Sequence, residues 1–112
     1  MLVYKIFRRS EWDDFATAGQ TLGAPVDLAD GYIHMSTSQQ VVETVAKHFG
    51  RESDLVLVAI ETDRLGEALK WEPSRGGALF PHLYRPMTQA DVVWDKSLPL
   101  GAAGHIFPEG VV

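Results

Sequence analysis

Two short stretches hold residues able to do chemistry. In residues 30–37, D-G-Y-I-H-M-S-T, an imidazole at His34 is followed by hydroxyls at Ser36 and Thr37. On a strand, His34 and Ser36 project from the same face. Thr37 stands where a helix begins, and free backbone N–H groups at such a point attract anions. A histidine hydrogen-bonded inside the fold is the plainer reading of His34 alone; the cluster of donors turns it toward a ligand. In residues 71–84, W-E-P-S-R-G-G-A-L-F-P-H-L-Y, Arg75 stands beside two glycines that leave its guanidinium unobstructed, suited to phosphate or carboxylate. His82 and Tyr84 alternate to one face if the segment is extended, and Pro81 favours extension of Phe80. An imidazole and an aromatic on one face can sandwich a flat ring, and Glu72 belongs to the same constellation. Both stretches are expected to line one polar cleft, with His34, His82 and Glu72 as candidate catalytic groups. Ser36, Thr37, Arg75 and Tyr84 are the candidate ligand-binding groups.

Several elements must position these residues. Residues 2–7, L-V-Y-K-I-F, are rich in β-branched and aromatic side chains and predict a first strand. Ser10 is a suitable N-cap, with Glu11, Asp13 and Asp14 in the first turn where the macrodipole favours them. Trp12, Phe15 and Ala16 give that helix a buried face, and Gly19 stops it. Residues 20–30 read as a loop and 31–36 as a second strand. Thr37 with Gln40 fits a capping box for a helix running to about Phe49, with Val41, Val42, Val45, Ala46 and Phe49 as its apolar stripe. Glu43 and Lys47 pair on its outer face.

Residues 55–60, L-V-L-V-A-I, are continuously apolar and predict a central strand buried on both faces. Residues 62–68 read as a turn, 69–72 as a strand ended by Pro73, S-R-G-G as a loop and A-L-F as a short extended piece. Residues 91–96 give a last strand, and the tail from Pro99 reads as irregular. Two helices come early and strands dominate later. That order predicts an α+β fold with a small mixed or antiparallel sheet, in which residues 1–112 form a single domain.

The composition narrows the function classes. The chain has 112 residues, 46% of them hydrophobic, a net charge of −5 and no cysteine. Disulfide and thiolate chemistry are therefore excluded. The negative charge argues against general nucleic-acid binding, although Arg8, Arg9, Arg75 and Arg85 could still gather around one anion. No segment approaches the roughly 20 apolar residues needed to cross a bilayer. The N-terminal residues lack the order of a signal peptide. A soluble, cytoplasmic protein is expected. The four histidines show no metal spacing, and no metal is expected. Phosphate-binding glycine loops and the G-x-S-x-G elbow are missing from the sequence. His48 reads as structural, and His105 is uninformative.

The combination of D-G-Y-I-H-M-S-T, L-V-L-V-A-I-E and L-K-W-E-P-S-R-G-G-A-L-F-P-H-L-Y resembles a bacterial family of small proteins filed as a domain of unknown function, from Tyr4 to about Trp94. The resemblance implies a fold like that of the ADP-ribosyltransferases, which include the NAD-using RNA 2′-phosphotransferases. By that likeness His34 would contact the adenosine ribose of NAD and His82 or Tyr84 would lie near nicotinamide. Glu72 and Glu109 match the late acidic residue by type only. Arg75, then Arg85, would serve the phosphate. Three classes of function stay open. The cleft could belong to an NAD-dependent transferase, or to a non-catalytic module that binds NAD or another nucleotide-like anion. The chain could also be an interaction domain in which these residues are structural.

Overall fold

The structure is a computed structural model that describes residues 1–111, with Arg75 described in its backbone alone. Strand β1 (Leu2–Arg8) and strand β4 (Leu55–Glu61) pair antiparallel along their whole lengths, Leu2 opposite Glu61 and Arg8 opposite Leu55. Strand β8 (Val92–Leu98) pairs with the other edge of β4, so the continuously apolar strand is central, as its sequence predicts. A second three-stranded antiparallel sheet has the order β3 (Ile33–His34), β6 (Leu79–Leu83), β5 (Leu69–Pro73). Two-stranded ribbons join β2 (Gln20–Thr21) to β7 (Met87–Thr88), and β9 (Leu100–Gly101) to β10 (Gly104–His105). The class is α+β, with antiparallel pairing throughout the described strands.

Alternation along the first sheet separates two cores. Val3, Phe7, Val56, Val58 and Ile60 face one side and pack with Phe15, Ile33, Met35, Leu83 and Met87. Tyr4, Ile6, Leu55, Leu57 and Ala59 face the other and pack with Val41, Val45 and Leu98. Each fully buried large apolar side chain contributes about 1.5–3 kcal/mol. Helix α1 (Arg9–Ala18) covers the first core, with Phe15 and Trp12 around Phe7 at ring-centroid distances of 5.6 and 5.7 Å. Ala16 is exposed instead, because the docked face centres on Phe15. The helix begins one residue before Ser10: Glu11 reaches back to accept the Arg8 N–H at 2.8 Å, and that bond fixes the start. Gly19 ends it in the left-handed conformation, as expected.

Helix α3 (Val41–Phe49) covers the second core with Val41 and Val45, while Val42 and Ala46 face solvent. Gln40 accepts the Thr37 N–H at 3.0 Å, which is half of the predicted capping box, but the regular helix starts only at Val41. The other end of the Gln40 amide donates to the Leu79 carbonyl at 2.8 Å and ties this turn to β6.

Residues 20–30 differ most from the sequence reading. Within them lie β2 and a third helix, α2 (Pro25–Asp30), with Pro25 at its first position. The tail also departs from its irregular reading, since β9 and β10 form a small hairpin there. Gly23 precedes α2 with φ +96°, and a Cβ on it would collide with the Asp27 carboxylate. Gly23→Ala should therefore destabilise the fold by about 1–3 kcal/mol through backbone strain, and further by displacing Asp27. Urea denaturation of the purified variant measures this; a change under about 0.5 kcal/mol, the range of ordinary surface substitutions, would contradict it.

Candidate functional site

Strand β1 sends Val3, Lys5 and Phe7 to one face. Lys5 thus enters an apolar core with 7% of its surface exposed. A buried ammonium costs several kcal/mol unless paired. Its partner is Asp27, whose side chain is fully buried, at 2.7 Å. The same carboxylate accepts from the Ala24 N–H at 2.7 Å, the His34 N–H at 3.0 Å and His34 Nδ1 at 2.6 Å. Four donors saturate a carboxylate. Asp27 so caps α2, neutralises Lys5 and orients the His34 ring in one stroke. Burial alone would raise its pKa, but the His34 hydrogen bond and the Lys5 charge outweigh burial and carry it down to about 2.

On the far side of the ring, Asp30 Oδ2 lies 3.0 Å from His34 Nε2. Both ring nitrogens of His34 therefore face carboxylates. His82 lies directly opposite on the paired strand β6, with the two rings 5.3 Å apart. Its Nδ1 lies 2.8 Å from Glu72 Oε1, and the same oxygen accepts from the Tyr84 hydroxyl at 2.7 Å. The Tyr84 hydrogen bond, with that of His82, lowers the Glu72 carboxyl below its usual value; Glu72 in turn pushes the Tyr84 phenol up to about 12. The Tyr32 ring lies against all three partners, 4.6 Å from His34, 4.2 Å from His82 and 5.1 Å from Tyr84.

The two main sheets meet through the Tyr4–Ser36 bridge and separate beyond it. A cavity of about 560 Å³ opens there. Tyr4, Lys5, Ile6 and Arg8 line it from β1, His34, Met35 and Ser36 from the β3 segment, and Phe80 and His82 from β6. Ser74, Thr44, His48 and Phe49 complete much of the wall, and no Asp or Glu belongs to it among the described residues. The volume falls in the usual range for small-molecule sites.

The structure brings His34, Ser36 and His82 to one cavity. Ser36 is buried and its hydroxyl lies 2.8 Å from that of Thr44. Glu72 and Tyr84 stand behind His82, outside the lining. Thr37 also lies outside it, and the Gln40 side chain takes its N–H. The Arg75 side chain lies outside the described residues. The other arginines do not gather: Arg8 pairs with Glu52 at 2.8 Å, Arg9 with Asp54 at 3.3 Å, and Arg85 with Asp91 through both terminal nitrogens. Arg85 lines a separate hollow of about 280 Å³, and Glu109 is exposed. Sequence reasoning missed Lys5, Asp27, Asp30 and Tyr32. Pro25 followed by Asp27 was the available sign, since the pair marks a helix start.

These features define a small antiparallel α+β protein with a paired-imidazole cleft. Residues 6–95 match the model of a family described as Protein of unknown function (DUF952), and the chain belongs to that family. Its fold is similar to the crystal structure of protein CC0527 from Caulobacter crescentus, at 51% identity and a TM-score of 0.90, over 94% of this chain and 92% of that one. The solution NMR structure of CC0527 gives 52% identity and a TM-score of 0.83, over 93% and 90%. No curated protein matches the sequence. No helix among the described residues is long and apolar enough to cross a membrane.

The anchor role of Asp27 can be tested by stability. Asp27→Asn leaves Lys5 buried without a counter-charge and should cost about 3–5 kcal/mol in urea denaturation. The folded pKa of Asp27 lies below the unfolded value of about 3.9, so the carboxylate favours the folded state at every pH above about 4. That contribution, about 2 kcal/mol, is lost as pH falls through about 2. An Asp27→Asn protein with the same stability and the same acid limb as wild type would refute the assignment.

Proposed function

We propose that the cleft between the two sheets binds NAD or a nucleotide-like anion. The observation that carries this reading is the wall itself: two imidazoles on paired strands, with Lys5 and Arg8 nearby and no carboxylate among the described lining residues. Such a wall offers donors and opposes a ligand anion with no lining carboxylate among the described residues, and its apolar part suits a flat ring. Ser36 and Ser74 would supply hydroxyls and Phe80 and His82 flat surfaces, while Lys5 and Arg8 stand in the wall already paired with Asp27 and Glu52. The resemblance to ADP-ribosyltransferase-like proteins supports a further step, in which the chain is an NAD-dependent ADP-ribosyl- or 2′-phosphotransferase-like enzyme. In that case an oxocarbenium-like ribose would be stabilised by the electrostatics of the cleft.

One observation favours the alternative, a non-catalytic binding module. The transferase reading needs an acidic group at the ribose or acceptor. Glu72 Oε1 is occupied by His82 and Tyr84, and Glu72 lies outside the lining.

Calorimetric titration with NAD, ADP-ribose and inorganic phosphate tests the binding. NAD or ADP-ribose should bind more tightly than phosphate, and His82→Ala should weaken binding about tenfold or more. Release of nicotinamide on incubation with NAD would mark an enzyme; binding without release would mark a module. If none of the three compounds binds the wild-type protein, both readings fall.

A further inference from the structure

His34 and His82, opposite each other on the paired strands, are not equivalent. Both nitrogens of His34 face carboxylates, Asp27 on one side and Asp30 on the other. His82 has one such partner. An ionised carboxylate only accepts, so the short contact of Nδ1 with Glu72 requires the proton on Nδ1. A neutral imidazole with its proton on Nδ1 carries a lone pair on Nε2. No described residue pairs with that nitrogen. The His82 side chain is 3% exposed, so bulk water does not reach it freely. His82 lines the cavity and Glu72 does not, and Nε2 is the ring nitrogen on the side away from Glu72. Contact with the Tyr32 ring at 4.2 Å holds the imidazole in place. Buried polar atoms without a partner are rare, and one beside a ligand-sized cavity calls for a functional reason.

We infer that Glu72 is a positioning residue which fixes the tautomer of His82, and that His82 Nε2 is an acceptor in the cleft for a hydroxyl group of the ligand. The inference rests on the nucleotide reading of the cleft and narrows it. On the nucleotide reading the ligand brings negative charge to a wall with no carboxylate among its described lining residues, and facing His82 Nε2 it also brings a hydrogen-bond donor. A nucleotide ribose meets both conditions, whereas a fully ionised phosphate offers no donor. A ligand without a donor leaves Nε2 unsatisfied, and that penalty supplies selectivity.

The tautomer is tested first, in the ligand-free protein. Nitrogen–proton correlation NMR of the histidine rings in mildly alkaline buffer should show His82 protonated at Nδ1 and bare at Nε2. Glu72→Ala should move the proton toward Nε2. Glu72→Gln, whose side-chain oxygen still accepts from Nδ1, should restore the wild-type pattern. Because Glu72 is partly exposed, neither variant opens a core cavity. A wild-type His82 protonated at Nε2 overturns the inference whatever binds. Ligand choice is tested with AMP and its 2′,3′-dideoxy analogue, which share base and phosphate and differ only in the ribose hydroxyls. AMP should bind the wild-type protein about tenfold or more tightly than the analogue, with the gap narrowing in Glu72→Ala and returning in Glu72→Gln. Equal affinities overturn the hydroxyl selection and leave an anion-binding cleft. Failure of AMP, NAD and ADP-ribose alike removes the nucleotide reading and the selection with it, while the tautomer result stands on its own.

Discussion

The arrangement depends on one buried carboxylate. Lys5 occupies an inward position on β1 between Val3 and Phe7, where an apolar residue would ordinarily sit. The fold tolerates the charge because Asp27 meets it with a fully shielded oxygen and spends its remaining capacity on Ala24 and His34. Three segments remote in sequence, β1, α2 and β3, thereby share one electrostatic anchor. Buried ion pairs often add little net stability over a hydrophobic pair of similar volume. The ionic solution does what a hydrophobic one cannot: it gives His34 a fixed ring orientation at the edge of the cavity.

The cavity follows from how the two sheets are joined. Beyond the Tyr4–Ser36 bridge β1 has no backbone partner on its outer edge in β3 or β6, and the space between the sheets is left to side chains. Several carboxylates that pair with lining residues are turned to other work. Asp27 is saturated, Asp30 faces His34, Glu72 serves His82 and Tyr84, and Glu52 holds Arg8. A protein of net charge −5 thus has no acidic group among the described lining residues of this hollow. Whole-chain charge is a poor guide to a site when acidic side chains are placed behind the wall in this way.

Much of the frame was legible in the sequence because it is carried by long, regular patterns. The apolar run of β4, the β-branched run of β1 and the Gly19 stop of α1 correspond to observed elements. The pieces that were not legible are short. Helix α2 has six residues, too few for an amphipathic period, and isolated helices of that length do not hold. It exists because Asp27 is anchored from outside. The ribbons β2–β7 and β9–β10 pair two residues each, so nothing in their local pattern distinguishes them from loop. The same reasoning explains the site. His34 and His82 were found because they lie in unusual local strings, whereas Lys5 and Asp27 look like surface residues until the fold brings them together.

Pairing of β3 with β6 makes His34 and His82 neighbours, but it does not make them alike. What differs is the shell of oxygens around each ring. His34 has two carboxylates in line with its nitrogens and presents the cleft with no spare nitrogen. His82 has one, held by a tyrosine hydroxyl, and keeps an acceptor. Glu72 is thus engaged in orienting an imidazole. A wall with no carboxylate among its described lining residues thereby meets a ligand through an imidazole that a carboxylate behind it orients.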